Sequence, residues 1–233
     1  RDWSSDVCSS DLSPLLSSAA MDFRLLLAAT AGAYLVGSIP FGLIVARLTG
    51  GPDPRAVGSG RLGGTNALRA LGRRRAAVVA TGDVLKGALP VVLLRAAAPR
   101  GEATGALEVC AALFAVIGAT RSIWVGFRGG RGIATGFGTA LAIAPLAVAA
   151  VAPVFALVIA RTRLVSAGSL AASALFAPTI ILVRLGSDEG LDLAICAYGL
   201  IGPALVWLAH ADNIARLRAG TERTFDFGAL RRD

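Results

Sequence analysis

The chain has 233 residues, of which 55% are hydrophobic and only 16% charged, and its mean hydropathy is +0.68. A soluble domain of this length needs more polar surface than that composition supplies, which leaves a polytopic membrane protein. The formal net charge of +8 rests almost wholly on arginine, Lys86 being the only lysine, and the sequence has no aromatic-rich basic patch, so nucleic acid is excluded as a partner.

In chain order, residues 1–20 are polar, lack periodicity and precede the only methionine, Met21. They read as a non-native or disordered extension, and residues 21–233 as a single integral membrane domain. The first apolar run covers residues 23–48 and is interrupted by Gly37-Ser38-Ile39-Pro40. A polar loop follows, ending in Arg73-Arg74-Arg75. The second run is 76–98 and the third 107–123. A Gly-Arg loop at 126–132 leads into 133–160, which is too long for one span and predicts two short helices turning near Pro145. Further runs lie at 166–185 and 191–210, giving an all-α protein of about seven transmembrane helices. Counted by side, the arginine-rich loops and the tail fall together. This predicts an outside N-terminus, a cytoplasmic C-terminus and cytoplasmic polar loops.

Four polar clusters share that cytoplasmic face. Ser59, Thr65, Asn66 and Arg69 stand among glycines whose backbone amides can approach an anion closely, with Arg69 as a forked donor. Arg128, Gly129, Gly130, Arg131 and Gly132 precede a helix start, a second anion-binding pattern without the ending of a Walker loop. Ser166 reads as the cap of the sixth span. His210 and Asn213, three apart, lie on one helix face at the mouth of the last span, followed by Arg216 and Glu222. Taken singly, each cluster is equally a connecting loop, a topology signal or an interfacial residue. Asp83 and Lys86, three apart inside a span, read as a structural ion pair. Cys110 and Cys196 lie in apolar runs. No cysteine pair has metal-ligand spacing, and a lone histidine completes no zinc site, so neither a metal nor a cofactor is predicted.

In combination these words resemble the PlsY family, bacterial glycerol-3-phosphate acyltransferases that use acyl phosphate. The matching words are Gly37-Ser38-Ile39-Pro40-Phe41-Gly42, Val57-Gly58-Ser59-Gly60 with Thr65, Asn66 and Arg69, and Asp83 to Pro90. The Phe127–Gly136 loop and His210, Asn213 and Gly220-Thr221-Glu222 complete the set. The resemblance implies transfer of a fatty acyl group from acyl phosphate to the 1-hydroxyl of sn-glycerol 3-phosphate, giving lysophosphatidate and phosphate. It implies a multi-pass protein of the bacterial inner membrane with its active site facing the cytoplasm. The partners it implies are glycerol 3-phosphate, acyl phosphate and membrane lipid; oligomeric state stays open, a monomer being one reading. Carried over by position, Ser59, Arg69, His210 and Asn213 match substrate and catalytic positions, the Gly129–Gly132 loop the phosphate-binding segment, and Glu222 a structural one. The proton of the attacking hydroxyl goes either to His210 or to a phosphate oxygen.

The chain also departs from the family pattern. Arg61 stands for the usual asparagine, Gly64 for alanine, and Arg128 and Arg131 for lysines. Ala119 and Ser122 fall in a stretch where the family carries a histidine and a phenylalanine-proline pair, and Arg121 intrudes on apolar sequence. A catalytically impaired homologue and a small-anion transporter are the alternatives. Transporters place charges near the midplane and often carry inverted repeats, whereas here the polar clusters collect at one face without a visible repeat.

Overall fold

The computed structural model describes residues 12–97, 102–188 and 190–230; residues 1–11 of the expected extension lie outside them. Among the described residues the chain is all helical. Helix α1 (Leu12–Gly37) is followed by α2 (Phe41–Leu48), α3 (Gly64–Leu71), α4 (Arg73–Ala97) and α5 (Glu102–Thr120). Then come α6 (Ile133–Ile143), α7 (Pro145–Thr162), α8 (Val165–Leu185), α9 (Leu193–Ala209) and α10 (Ala211–Arg218).

The sequence breaks fall where proline and glycine put them. Pro40 precedes α2, and α1 and α2 bend by 43° across the Gly37–Pro40 interruption. Pro145 opens α7 at a first-turn position, where its missing N–H leaves no helix bond unmade. The loop expected between the first two runs contains α3, and Arg73–Arg75 form the first turn of α4.

Among the described residues four helices, α4, α5, α7 and α8, are long and apolar enough to cross a membrane, and two bent pairs, α1–α2 and α9–α10, raise the count to six if each is one span. Helix α6 is an apolar helix of only 11 residues, about 16 Å at the helical rise, roughly half a hydrocarbon core. Exposed leucines such as Leu93, Leu146, Leu182, Leu200 and Leu208 face outward from these helices, as a lipid-facing surface requires.

Backbone contact through small residues packs the bundle. A Cβ at Gly87 would overlap the Thr135 carbonyl, and one at Gly138 the Val84 carbonyl, so α4 and α6 touch main chain to main chain. Inside the bundle Lys86 Nζ lies 2.7 Å from Asp83 Oδ1 and donates to Ile39 O at 2.9 Å. The expected ion pair therefore also ties α4 to the break between α1 and α2. A buried cluster including Val91, Val109, Phe176, Ile180 and Tyr198 joins α4, α5, α8 and α9.

Candidate active site

The first polar loop is organised by Asn66. Its Oδ1 accepts from Ser59 N at 3.1 Å, and its Nδ2 reaches Pro54 O (2.6 Å), Arg61 O (2.9 Å) and Val57 O (3.0 Å). With its polar atoms so engaged, the buried Asn66 shapes the loop that sets Ser59 at the site. Helix α3 makes its first bond from Asn66 N to Gly63 O, so the Gly64 and Thr65 amides open from its N-terminus. Arg69, one turn along, has one guanidinium donor on Thr224 O at 3.3 Å.

The second loop is braced on the end of α5. Gly129 N donates to Thr120 O (3.1 Å) and Gly130 N to Ala119 O (2.9 Å). Two of the amides expected to hold phosphate are thus committed within the protein. Those open to a ligand are in the first turn of α6, whose first internal bond runs from Gly136 N to Gly132 O. A Cβ on Gly130 would lie 3.5 Å from Gly63 N, so the two glycine loops pack face to face.

Helices α9 and α10 meet at His210 with a bend of 64°. His210 is buried, and its Nδ1 lies 2.8 Å from Val206 O. A carbonyl only accepts, so Nδ1 carries the proton and the neutral ring keeps its lone pair on Nε2. Asn213 points away toward the tail, where its Nδ2 donates to Glu222 Oε1 at 2.6 Å. Arg216 donates to Glu222 Oε2 (2.8 Å) and to Asp212 Oδ2 (3.1 Å), and Arg131 reaches the same Asp212 oxygen at 3.0 Å. Arg61 stands 4.0 Å from Asp212 Oδ1. One carboxylate therefore ties both glycine loops to α10.

These groups open on one cavity of about 560 Å³. Ser59, Asn66, Arg69, the Gly129–Gly132 loop, His210 and Glu222 all line it, and so do Asp83 and Lys86. Arg128 is exposed and Asn213 is buried behind the wall, and neither lines it. Ser166 is not a cap, since Leu164 occupies that position without a side-chain bond. Its buried hydroxyl instead faces the cavity with no partner. The polar end passes into an apolar arm between α6, α7, α8 and α9, lined by residues such as Phe137, Val151, Phe155 and Ala172.

Electrostatics at the polar end favour an anion. Burial lowers the affinity of Arg131 for its proton, as does nearby Arg61, while Asp212 acts to restore it. Arg69 is shifted the same way by burial and by Arg223, which also lines the cavity. Burial works to raise the Asp212 carboxyl, yet Arg131, Arg216 and Arg61 outweigh it and hold the group below its ordinary value.

Asp212, Arg216 and Arg223 carried no assigned role in the sequence reading. The spacing of Asp212 and Arg216, one helical turn apart, was a usable signal for the first two. Arg223 lies on irregular chain, where spacing carries none. The departures from the family pattern are accommodated locally. Arg121 is exposed, with its carbonyl accepting from Tyr34 Oη at 2.8 Å. Ser122 is buried and donates to Ser38 O at 2.6 Å.

The sequence model of the family described as "Glycerol-3-phosphate acyltransferase" matches residues 27–220. The glycerol-3-phosphate acyltransferase of Trichlorobacter lovleyi is 43% identical over 198 residues, 84% of this chain and 95% of the relative. That of Methylorubrum extorquens is 41% identical, covering 87% of this chain and 94% of the relative. The crystal structure of PlsY (YgiH), an integral membrane glycerol 3-phosphate acyltransferase in its glycerol 3-phosphate form, superposes with a TM-score of 0.76 at 30% identity, over 89% of this chain and 99% of that one. Its lysophosphatidic acid form gives 0.74 at 29% identity, over 88% and 97%. With an all-helical membrane fold and one cavity that joins anion-binding loops to an apolar arm, the chain belongs to the glycerol-3-phosphate acyltransferase family and is a membrane acyltransferase.

Proposed function

We propose that the protein transfers a fatty acyl group from acyl phosphate to the 1-hydroxyl of sn-glycerol 3-phosphate, releasing lysophosphatidate and inorganic phosphate. The observation that carries this reading is the two-part cavity: two helix N-termini and four arginines, Arg61, Arg69, Arg131 and Arg223, at one end, an apolar arm at the other. Two phosphorylated headgroups need the first, and an acyl chain needs the second. The two forms in which the related PlsY was solved, with glycerol 3-phosphate and with lysophosphatidic acid, support the same assignment.

In this reading Arg69, Ser59 and the α3 amides hold glycerol 3-phosphate, and Arg131 with the α6 amides holds the acyl phosphate. The 1-hydroxyl oxygen attacks the acyl carbonyl carbon and the bond from that carbon to the phosphate oxygen breaks. Phosphate leaves with the electron pair, and the hydroxyl proton passes to His210 Nε2. The Nδ1 bond to Val206 suits His210 to this, because it fixes the ring with its lone pair on the other nitrogen. Helix amides stabilise the oxyanion, a contribution of about 100-fold or more per donor. Phosphate is a good leaving group, so positioning and charge supply most of the acceleration. Asn213, behind the wall, acts as a positioning residue through its bond to Glu222, which lines the cavity.

About seven membrane crossings, an outside N-terminus and a cytoplasmic site in the bacterial inner membrane complete the proposal, supported by the arginine distribution. Purified protein given palmitoyl phosphate and glycerol 3-phosphate tests it. Lysophosphatidate should form, Arg69→Ala should mainly raise KM for glycerol 3-phosphate, and His210→Ala should mainly lower kcat. Turnover unchanged in both variants would overturn the site assignment, and no product from wild type would overturn the reaction.

A further inference from the structure

The apolar arm of the cavity has a floor. Ala140 on α6, Val148 on α7, Phe176 on α8 and Tyr198 on α9 all line it. All four belong to the buried cluster that continues behind them through Val91, Val109 and Ile180. The arm therefore ends against packed core.

Two aromatic rings close that end, and both are fixed. Phe176 and Tyr198 meet edge to face, with centroids 6.0 Å apart at 81°. The Tyr198 hydroxyl is 2.8 Å from Thr139 Oγ1, which is itself 2.9 Å from the Gly136 carbonyl. The threonine's single proton goes to that carbonyl, so Tyr198 is the donor to Thr139. Its ring is pinned at the tip by α6 and against Phe176 by α8.

We propose that Tyr198 and Phe176 form the end stop of the acyl site and set the longest chain the enzyme accepts. This deepens the acyltransferase reading and rests on it. His210, at the reacting end, and Tyr198 are twelve residues apart across α9 and its cap. That is about 18 Å at the helical rise, the length of a saturated chain of roughly fourteen carbons fully extended or sixteen with a few gauche bonds. A longer chain must displace packed core or leave its terminal methylenes folded back, and each misplaced methylene in an apolar pocket changes turnover by about tenfold or more.

The test is a chain-length series of acyl phosphates from ten to twenty carbons, assayed on full-length protein with saturating glycerol 3-phosphate. The readout is the ratio of turnover between chain lengths within one preparation, which a loss of folded enzyme does not move. Wild type should stay level to about sixteen carbons and fall by about tenfold or more by twenty. Tyr198→Ala and Phe176→Ala should move that fall to longer chains by at least two carbons. Ala172→Phe, one turn above Phe176 on α8 and also lining the arm, should move it to shorter chains even if the floor variants do not fold. A wild-type profile flat to twenty carbons, or variants with the wild-type profile, would overturn the end stop while leaving the reaction standing. No turnover at any length would overturn the reaction, and the end stop with it.

Discussion

Gly129→Ala is the sharpest probe of the phosphate loop. A Cβ there would overlap the Ala119 carbonyl oxygen and stand 3.0 Å from the carbonyl carbons of Ala119 and Thr120, all backbone. Nothing flexible can yield, so the loop must leave the end of α5. That movement breaks the Gly129–Thr120 and Gly130–Ala119 hydrogen bonds, each worth about 1 kcal/mol net. Strain of about 1 kcal/mol or more in whatever compromise remains brings the total to roughly 3 kcal/mol. If the working loop is populated less by that amount, the apparent KM for acyl phosphate rises about 100-fold. Gly64→Ala is the control, in the other glycine loop. Its Cβ would sit 3.5 Å from the Ala80 Cβ, an ordinary contact, and KM should stay within about threefold of wild type. Steady-state kinetics on detergent-purified protein, with helical content checked by circular dichroism, reads both. A Gly129→Ala enzyme with wild-type KM, or equal losses in the two variants, would refute the reasoning.

Further outcomes are expected. His210→Ala should lower kcat by about 100-fold or more with KM little changed, read by initial rates. Removing one partner of the buried Asp83–Lys86 pair, as in Asp83→Asn or Lys86→Met, should destabilise by about 3 kcal/mol or more, whereas the double change Asp83→Leu with Lys86→Met should lose less; thermal melting in detergent compares them.

Much of the fold was legible because apolar length and proline leave few choices. The break at Gly37–Pro40 and the turn at Pro145 fall where the sequence puts them. Helix α3 was less visible, since glycines at both ends disguise a short amphipathic turn whose stability comes from packing Ala67 and Leu71 against α2 and α4. The gathering of Ser59, Arg69, Arg131 and His210 on one cavity follows from the order of the motifs and their shared side. What spacing alone does not encode is direction. Arg128 and Arg131 look equivalent in sequence, yet the loop turns one outward and holds the other against Asp212. His210 and Asn213 share a helix face by periodicity, but the bend between α9 and α10 sends Asn213 toward Glu222. Asn66, an apparent ligand, serves the backbone around it. Ser166 reads as a cap from sequence and proves to be an unpartnered hydroxyl on the cavity wall because the cap falls two residues earlier, at Leu164.

The most direct test of acyl transfer in this cavity is stoichiometry, followed by phosphorus NMR on purified protein given glycerol 3-phosphate and a long-chain acyl phosphate. One lysophosphatidate should appear for each inorganic phosphate released, and acyl-CoA should not replace the acyl phosphate as donor. Phosphate release without lysophosphatidate, or product formed equally well from acyl-CoA, would contradict it.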